Sequence, residues 1–123
     1  MTSEAVRHAQ TAAEAVRALN HTSRPGTGLD SAADAYTVLA ELTALLGRLP
    51  QALSQLQAFL DAECESGRLA VVDGDYAGDP VAAVTACAHW LEPAHTHANS
   101  AAHALEQAQQ TLTWVASRPR CSS

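Results

Sequence analysis

Apolar periodicity constrains this chain more than any other feature of its sequence. Two stretches, 30–66 and 79–117, carry apolar or small residues at alternating steps of three and four, which is typical of helices with one buried face. In the second stretch this seam persists for about five heptads and includes two polar residues, His95 and Gln109. Its apolar and small members are Val81, Val84, Ala88, Leu91, Ala98, Ala102, Leu105, Leu112 and Ala116. A chain of this kind folds by laying such helices against one another.

The second stretch predicts one long helix over 80–117. Asp79 is a favoured N-cap, and the proline that follows it suits the first helical position. Pro93 predicts a kink or a break, because proline removes one backbone hydrogen bond and clashes with the preceding turn. Trp90 and Trp114 lie beside the seam and are expected to cover its shoulder.

The first stretch predicts helices over 30–47 and 50–66, with Asp30 as the N-cap of the first. Gly47 and Pro50 interrupt the pattern between them. Either the helix stops at Gly47 and restarts at Pro50, or it continues with a kink. The apolar face consists of Ala32, Ala35, Leu39, Leu42, Leu46, Leu49, Leu53, Leu56, Phe59, Leu60 and Cys64.

Shorter segments complete the predicted organisation of one domain. A first helix over 3–20, capped by Ser3, has a small-residue face that needs a partner surface. A linker is predicted over 21–28 and a turn-rich loop over 67–79, which begins with a glycine suited to end a helix. The residues 118–123 form a polar tail.

If the two long stretches form an antiparallel hairpin around 67–79, their apolar positions match. Leu42 then lies opposite Leu105 and Leu56 opposite Leu91, and the first helix lies along the groove between the two. We therefore predict an all-α fold, an antiparallel helical hairpin or bundle of three to four helices with a long C-terminal helix. The predicted core or interface seam consists of Leu39, Leu42, Leu46, Leu49, Leu53, Leu56, Val84, Leu91, Leu105 and Leu112.

Composition excludes several function classes. The net charge of −6 and the lack of a basic stripe argue against a nucleic-acid partner. No apolar run approaches the roughly 20 residues of a membrane span, and the N-terminus does not resemble a signal peptide. Cys64, Cys87 and Cys121 form no CxxC pair and imply no disulfide framework. We interpret Cys64 and Cys87 as small buried hydrophobic residues and expect a cytoplasmic protein.

The last long stretch also concentrates histidines. His89, Glu92 and His95 follow one another at steps of three, which puts them on one helix face, although Pro93 interrupts this spacing. A di-metal bundle needs a second Glu-x-x-His pair, which the sequence lacks. Solvated histidines at the edge of the core are therefore the favoured interpretation, and we expect no metal, no cofactor and no enzyme activity.

One block of sequence resembles a known group of proteins. The segment AYTVLAELTALLGRLPQALSQLQAFLDAECESGRL, followed by GDPVAAV, contains the pattern LxxLxxLxxRLPQALxQL from Leu39 to Leu56. It resembles small Ala-rich helical proteins of actinobacterial plasmids and integrating elements. The resemblance covers about two thirds of the chain and implies no catalytic residues. The absence of Lys and Ile agrees with a GC-rich genome.

Three hypotheses for function follow. The first is a non-enzymatic helical interaction module that binds itself, as a possible dimer, or docks another helical protein. The second is a small-molecule or metal-binding bundle that uses the His-rich helix. The third, implied by the resemblance alone, is an accessory protein of plasmid transfer or maintenance.

Overall fold

Three helices make up the fold of residues 2–118, the part of the chain that the computed structural model describes. They are α1, Glu4–Thr22, α2, Ala32–Glu65, and α3, Pro80–Thr111. No strand occurs between residues 2 and 118, so the predicted all-α class is confirmed. The two longer helices, α2 with 34 residues and α3 with 32, have similar lengths.

An antiparallel hairpin of α2 and α3 is the centre of the structure. Ser54 Oγ lies 3.0 Å from His95 Nε2, and the Ala32 N–H donates to Ser117 Oγ at 2.6 Å, so residue numbers run in opposite directions along the two partners. The contact follows the predicted apolar seams, and Ala98 at its centre is the one buried hydrophobic residue of the described chain. Two helices share a single line of contact here, which shields side chains on one side only.

The predicted pairing of Leu42 with Leu105 and Leu56 with Leu91 implies that His95 lies opposite Ala52, whereas the structure pairs His95 with Ser54, two residues further along α2. A side chain of one helix packs between side chains of the facing helix and not directly against one of them. Head-to-head pairing of seam residues therefore misplaces the helices by a fraction of a turn, here roughly 3 Å.

Side-chain oxygens cap the N-terminus of every helix. Ser3 accepts a hydrogen bond from the Val6 N–H and Asp79 accepts one from the Ala82 N–H, as the sequence predicts. The prediction of Asp30 as the cap of α2 was wrong, because the cap is Ser31. The carboxylate of Asp34 instead accepts from the backbone N–H of Asp30 at 2.9 Å, which ties the residue before the cap to the first turn of the helix.

The end of α2 reverses the chain through a glycine. Gly67 has a φ of 73° and donates to the carbonyl of Cys64, while the next N–H donates to the carbonyl of Glu63, which together make a Schellman motif. The Arg68 guanidinium donates from Nε to Glu63 Oε2 at 3.0 Å. This hydrogen bond, with the attraction between the two charges, raises the pKa of Arg68.

Neither internal proline breaks its helix. Pro50 lies inside α2 and Pro93 inside α3, so the predicted segments 30–47 and 50–66 are one continuous helix. A proline inside a helix costs roughly 3 kcal/mol because it removes a hydrogen bond and crowds the preceding turn. Seam residues on both sides of Pro50 pack against α3, which holds the helix together across this local cost.

The predicted end of α3 at Ser117 was wrong, because the helix ends at Thr111. The hydroxyl of Thr111 donates to the backbone carbonyl of Ala108, and that of Thr113 donates to the carbonyl of Gln110. Such side-chain hydrogen bonds to the backbone compete with continuation of the helix. The chain then leaves the helix and brings the Ser117 hydroxyl to the start of α2.

The position of α1 also differs from the prediction. No Cα atom of α1 lies within 8 Å of a Cα atom in α2 or α3, so α1 does not fill the groove of the hairpin. Only Val16 and Leu19 of this helix are half-buried, and both line a groove between α1 and the N-terminal half of α2. The small-residue face predicted for α1 supplies too little apolar surface to draw the helix closer.

The hairpin contact at Ala98 generates the first prediction. We expect Ala98→Leu to lower the free energy of unfolding by about 1–3 kcal/mol, because the added side chain separates α2 from α3. Ala104→Leu makes the same change at an exposed position of α3 and should have an effect near zero. Urea unfolding followed by circular dichroism measures both, and equal effects of the two substitutions would contradict this packing.

Candidate interaction surface

A second apolar seam runs along α2, and no helix covers its C-terminal half. Its members recur at steps of four and three, and each of Val38, Leu45, Ala52 and Phe59 directly precedes a residue of the α3-facing seam. The second seam consists of Val38, Leu42, Leu45, Leu49, Ala52, Leu56 and Phe59. A helix with two such seams is typical of bundles in which it touches two neighbours.

The N-terminal half of the second seam has a loose neighbour in α1. A groove of about 490 Å³ separates the two helices, and its floor is formed by Val38, Leu42 and Leu45. Val16 and Leu19 of α1 line the other side, and no residue of α3 takes part. The seam is therefore half-covered here.

The C-terminal half of the second seam is uncovered. Leu49 is 37% exposed, Leu56 is 56% exposed and Phe59 is 61% exposed. The groove between α1 and α2 does not include them, since Arg48 is its last residue of α2. Exposed apolar side chains in a contiguous row are the ordinary mark of an interaction site.

Trp90 of α3 is an exposed aromatic residue on the neighbouring helix, where its indole lines a shallow groove with Pro93 and His97. It directly precedes the seam residue Leu91, as Phe59 precedes Leu60, and in an antiparallel helix pair such positions flank the same face. The register of Ser54 with His95 places Trp90 level with Phe59. The indole is 73% exposed. We call the surface formed by Leu49, Ala52, Leu56, Phe59 and Trp90 the apolar patch.

The opposite face of the hairpin carries polar side chains that the apolar patch lacks. A groove between α2 and α3 on that side is lined by both kinds of residue: Ser54, Gln57, Asp61, Glu92 and His95, together with Leu53, Ala58, Ala88 and Leu91. Gln57 Nε2 donates to Asp61 Oδ1 at 2.8 Å. The two sides of the hairpin therefore differ, with the apolar patch on one and a groove bearing polar and ionisable groups on the other.

Formal charge is sparse around the apolar patch. Between Arg48 and Asp61, α2 carries no Asp, Glu or Arg, and α3 carries only Glu92 between residues 80 and 105. Depletion of charged residues, with enrichment in aromatic ones, distinguishes the centre of a protein–protein interface from other surface.

The total surface of the chain shows the same lack of coverage. Its accessible area is 9520 Å², whereas a folded monomer of 12.9 kDa is expected to expose about 6,300 Å². The difference of about 3,200 Å² belongs to the whole chain, including its loops and ends. The chain is therefore more open than a compact monomer of its mass.

The structure divides the predicted seam residues into two groups. Eight of them are half-buried, and they are Leu39, Leu42, Leu46, Leu53, Val84, Leu91, Leu105 and Leu112. Leu49 and Leu56 are exposed and belong to the apolar patch. The sequence did not separate the groups because both sets of leucines follow the same three-four spacing.

The sequence predicts that both tryptophans cover the shoulder of the seam, and this prediction was wrong. Trp114 is 95% exposed because α3 ends before it, and Trp90 stands on a side of the hairpin that has no third helix. Sequence reasoning thus missed the apolar patch. Its signal was available, since Phe59 and Trp90 each precede a seam residue by one position.

The histidine cluster does not converge. His89 and Glu92 are exposed, whereas His95 is half-buried and turned toward Ser54. The ring of His89 instead meets the edge of Trp90, with ring centroids 5.7 Å apart. Among residues 2–118, no three His, Cys, Asp or Glu side chains are grouped as metal ligands.

Two of the three cysteines can be placed. Cys64 and Cys87 are half-buried free thiols near the loop end of the hairpin, where Cys87 lines a small apolar groove with Leu60 and Val84. This agrees with their interpretation as small hydrophobic residues. Cys121 lies outside the described residues.

No protein-family model, no curated protein and no solved structure matches this chain. Within residues 2–118, no helix combines the length and the apolar character needed to cross a membrane.

The hydrogen bond between Ser54 and His95 generates a second prediction. We expect a double-mutant cycle of Ser54→Ala and His95→Ala to give a coupling of about 0.5–1 kcal/mol, the ordinary range for a partly exposed hydrogen bond. A control cycle of Ser54→Ala with His103→Ala, a histidine on the exposed side of α3, should give no coupling. Urea unfolding at one protein concentration measures both cycles, and similar couplings would show that Ser54 and His95 are not partners.

Proposed function

We propose that this chain is a non-enzymatic helical interaction module that buries its apolar patch against another helical polypeptide. The observation that carries the proposal is the uncovered second seam of α2, with Leu56 and Phe59 more than half exposed and the exposed indole of Trp90 at the same level of α3. A helical partner suits this surface because an amphipathic helix presents apolar residues at the same three-four spacing.

The chemistry of the surface supports binding over catalysis. Leucine, phenylalanine and tryptophan side chains offer area for burial, worth roughly 25 cal/mol for each Å² removed from water. Polar side chains in the groove on the opposite face would keep that face in contact with water while the patch is covered. The hairpin would thus bind its partner with one face and expose the other face to water.

The emission of Trp90 reports directly on the patch. In a Trp114→Phe chain, Trp90 is the sole tryptophan, and we expect its emission to shift to shorter wavelength when a helix covers it. The titration runs from about 1 μM to about 1 mM protein, which spans association free energies of about −8 to −4 kcal/mol. A second titration adds a synthetic Leu-rich amphipathic helix at the lowest protein concentration.

A Trp90→Phe chain is the matched control, because its remaining Trp114 lies away from the patch and should keep the emission of an exposed indole. The proposal fails if Trp90 stays exposed at every protein concentration and with the synthetic helix, while circular dichroism shows native helix content.

A further inference from the structure

We infer that the polypeptide covering the apolar patch is a second copy of this chain, with the two α2 helices packed antiparallel across a two-fold axis at the level of Ser54. The inference rests on the proposed function, because it names the partner of the same surface. The arguments come from the order of the patch residues, the position of Trp90, the distribution of charge and the exposed area.

The exposed part of the second seam matches itself when it is turned end for end. Around Ser54, Leu49 of one copy falls opposite Phe59 of the other, and Ala52 falls opposite Leu56. Each pair sets a smaller side chain against a larger one, so the facing surfaces interlock. A two-fold dimer requires this property, because the same patch must serve both partners.

Trp90 completes the surface at both ends. It lies level with Phe59 in its own chain, and Phe59 meets Leu49 of the second copy in the antiparallel arrangement. The register therefore places the indole of each chain at the end of the contact, at the level of Leu49 of the other chain. A large aromatic side chain at such a position is the typical anchor of an interface.

Charge permits the two copies to meet at this place. Each chain has a net charge of −6, so two copies repel one another over most of their surfaces. The segment from Leu49 to Leu60 contains no charged residue, and Glu92 is the single charged residue of α3 near its level. The contact thus forms where the opposing charge is least.

The chain as a whole has surface available for a dimer contact. A standard interface buries about 800 Å² on each partner, and this chain exposes about 3,200 Å² more than a folded monomer of its mass, summed over all of its surfaces. In the antiparallel arrangement the apolar α2–α2 contact ends where Leu45 of one copy reaches Glu63 of the other, near the end of α2. The contact is therefore confined to the exposed half of the second seam and to Trp90.

The first test is molar mass by light scattering, with the full chain from about 1 μM to about 1 mM. We expect the wild-type chain to reach twice its mass of 12.9 kDa. Leu56→Glu places an unpaired carboxylate inside the contact, so the monomer–dimer dissociation constant should rise about 100-fold or more. Leu56 is 56% exposed in the single chain, so the helix content of this variant should stay unchanged.

Gln51→Glu is the matched control. It adds the same charge at an exposed position of α2 whose neighbours one turn away, at residues 47, 48, 54 and 55, do not belong to the second seam, and it should leave the dimer intact. Equal dissociation constants for the two variants would overturn the inference, and so would a wild-type chain that remains monomeric at every concentration.

Cross-linking tests the orientation. In a chain with Cys64→Ala, Cys87→Ala and Cys121→Ser, the variants Leu49→Cys and Phe59→Cys should form a disulfide when mixed and none when oxidised separately. Rapid self-cross-linking of either variant alone would indicate parallel helices and overturn the arrangement.

The two proposals fail in different ways. If the chain is monomeric but the synthetic amphipathic helix still covers Trp90, the dimer is rejected and the interaction module is retained. If the chain is monomeric and nothing covers Trp90, both proposals are rejected.

Discussion

The narrow contact between α2 and α3 is the interaction on which the rest of this structure depends. It holds two long helices along one seam, and Ala98 is the single residue of the described chain that is fully shielded at its centre. A small side chain there lets the helices approach closely, but burial is confined to the line of contact between them and does not form an enclosed core. Two helices alone cannot surround a side chain, so all other seam residues keep part of their surface in water.

This constraint explains why the second seam of α2 matters. In a closed bundle, a third helix would lie over both α2 and α3 and cover the positions that precede the seam residues. Here α1 lies on the flank of α2, and its short run of Val16 and Leu19 covers only the N-terminal half of that seam. The uncovered half coincides with the part of α2 that lacks charge. Coverage, charge and hydrophobicity thus change together along one helix.

Much of the fold followed from periodicity, whereas the candidate surface did not. The three-four spacing predicted the seam of α3 and its half-buried members from Val84 to Leu112, and local chemistry predicted the caps Ser3 and Asp79. The sequence allows a break at Pro50 because a proline is costly in an isolated helix. In the structure, packing of the residues on both sides of Pro50 keeps α2 continuous. The side of the hairpin that stays open depends on the position of α1. That position could not be predicted, because the apolar face of α1 is too weak to indicate which surface it packs against.

The open architecture links stability to association. A chain that buries little of its apolar surface gains stability from anything that binds only the folded hairpin, and this gain grows with the concentration of the partner. The same covering layer would press on both α2 and α3, because Phe59 belongs to one and Trp90 to the other. In the proposed complex, a partner seated on the patch would act as a third layer of the bundle and hold the hairpin closed. Binding at the second seam would then stabilise the fold that the α3-facing seam holds together, and for this reason the uncovered seam carries the functional proposal.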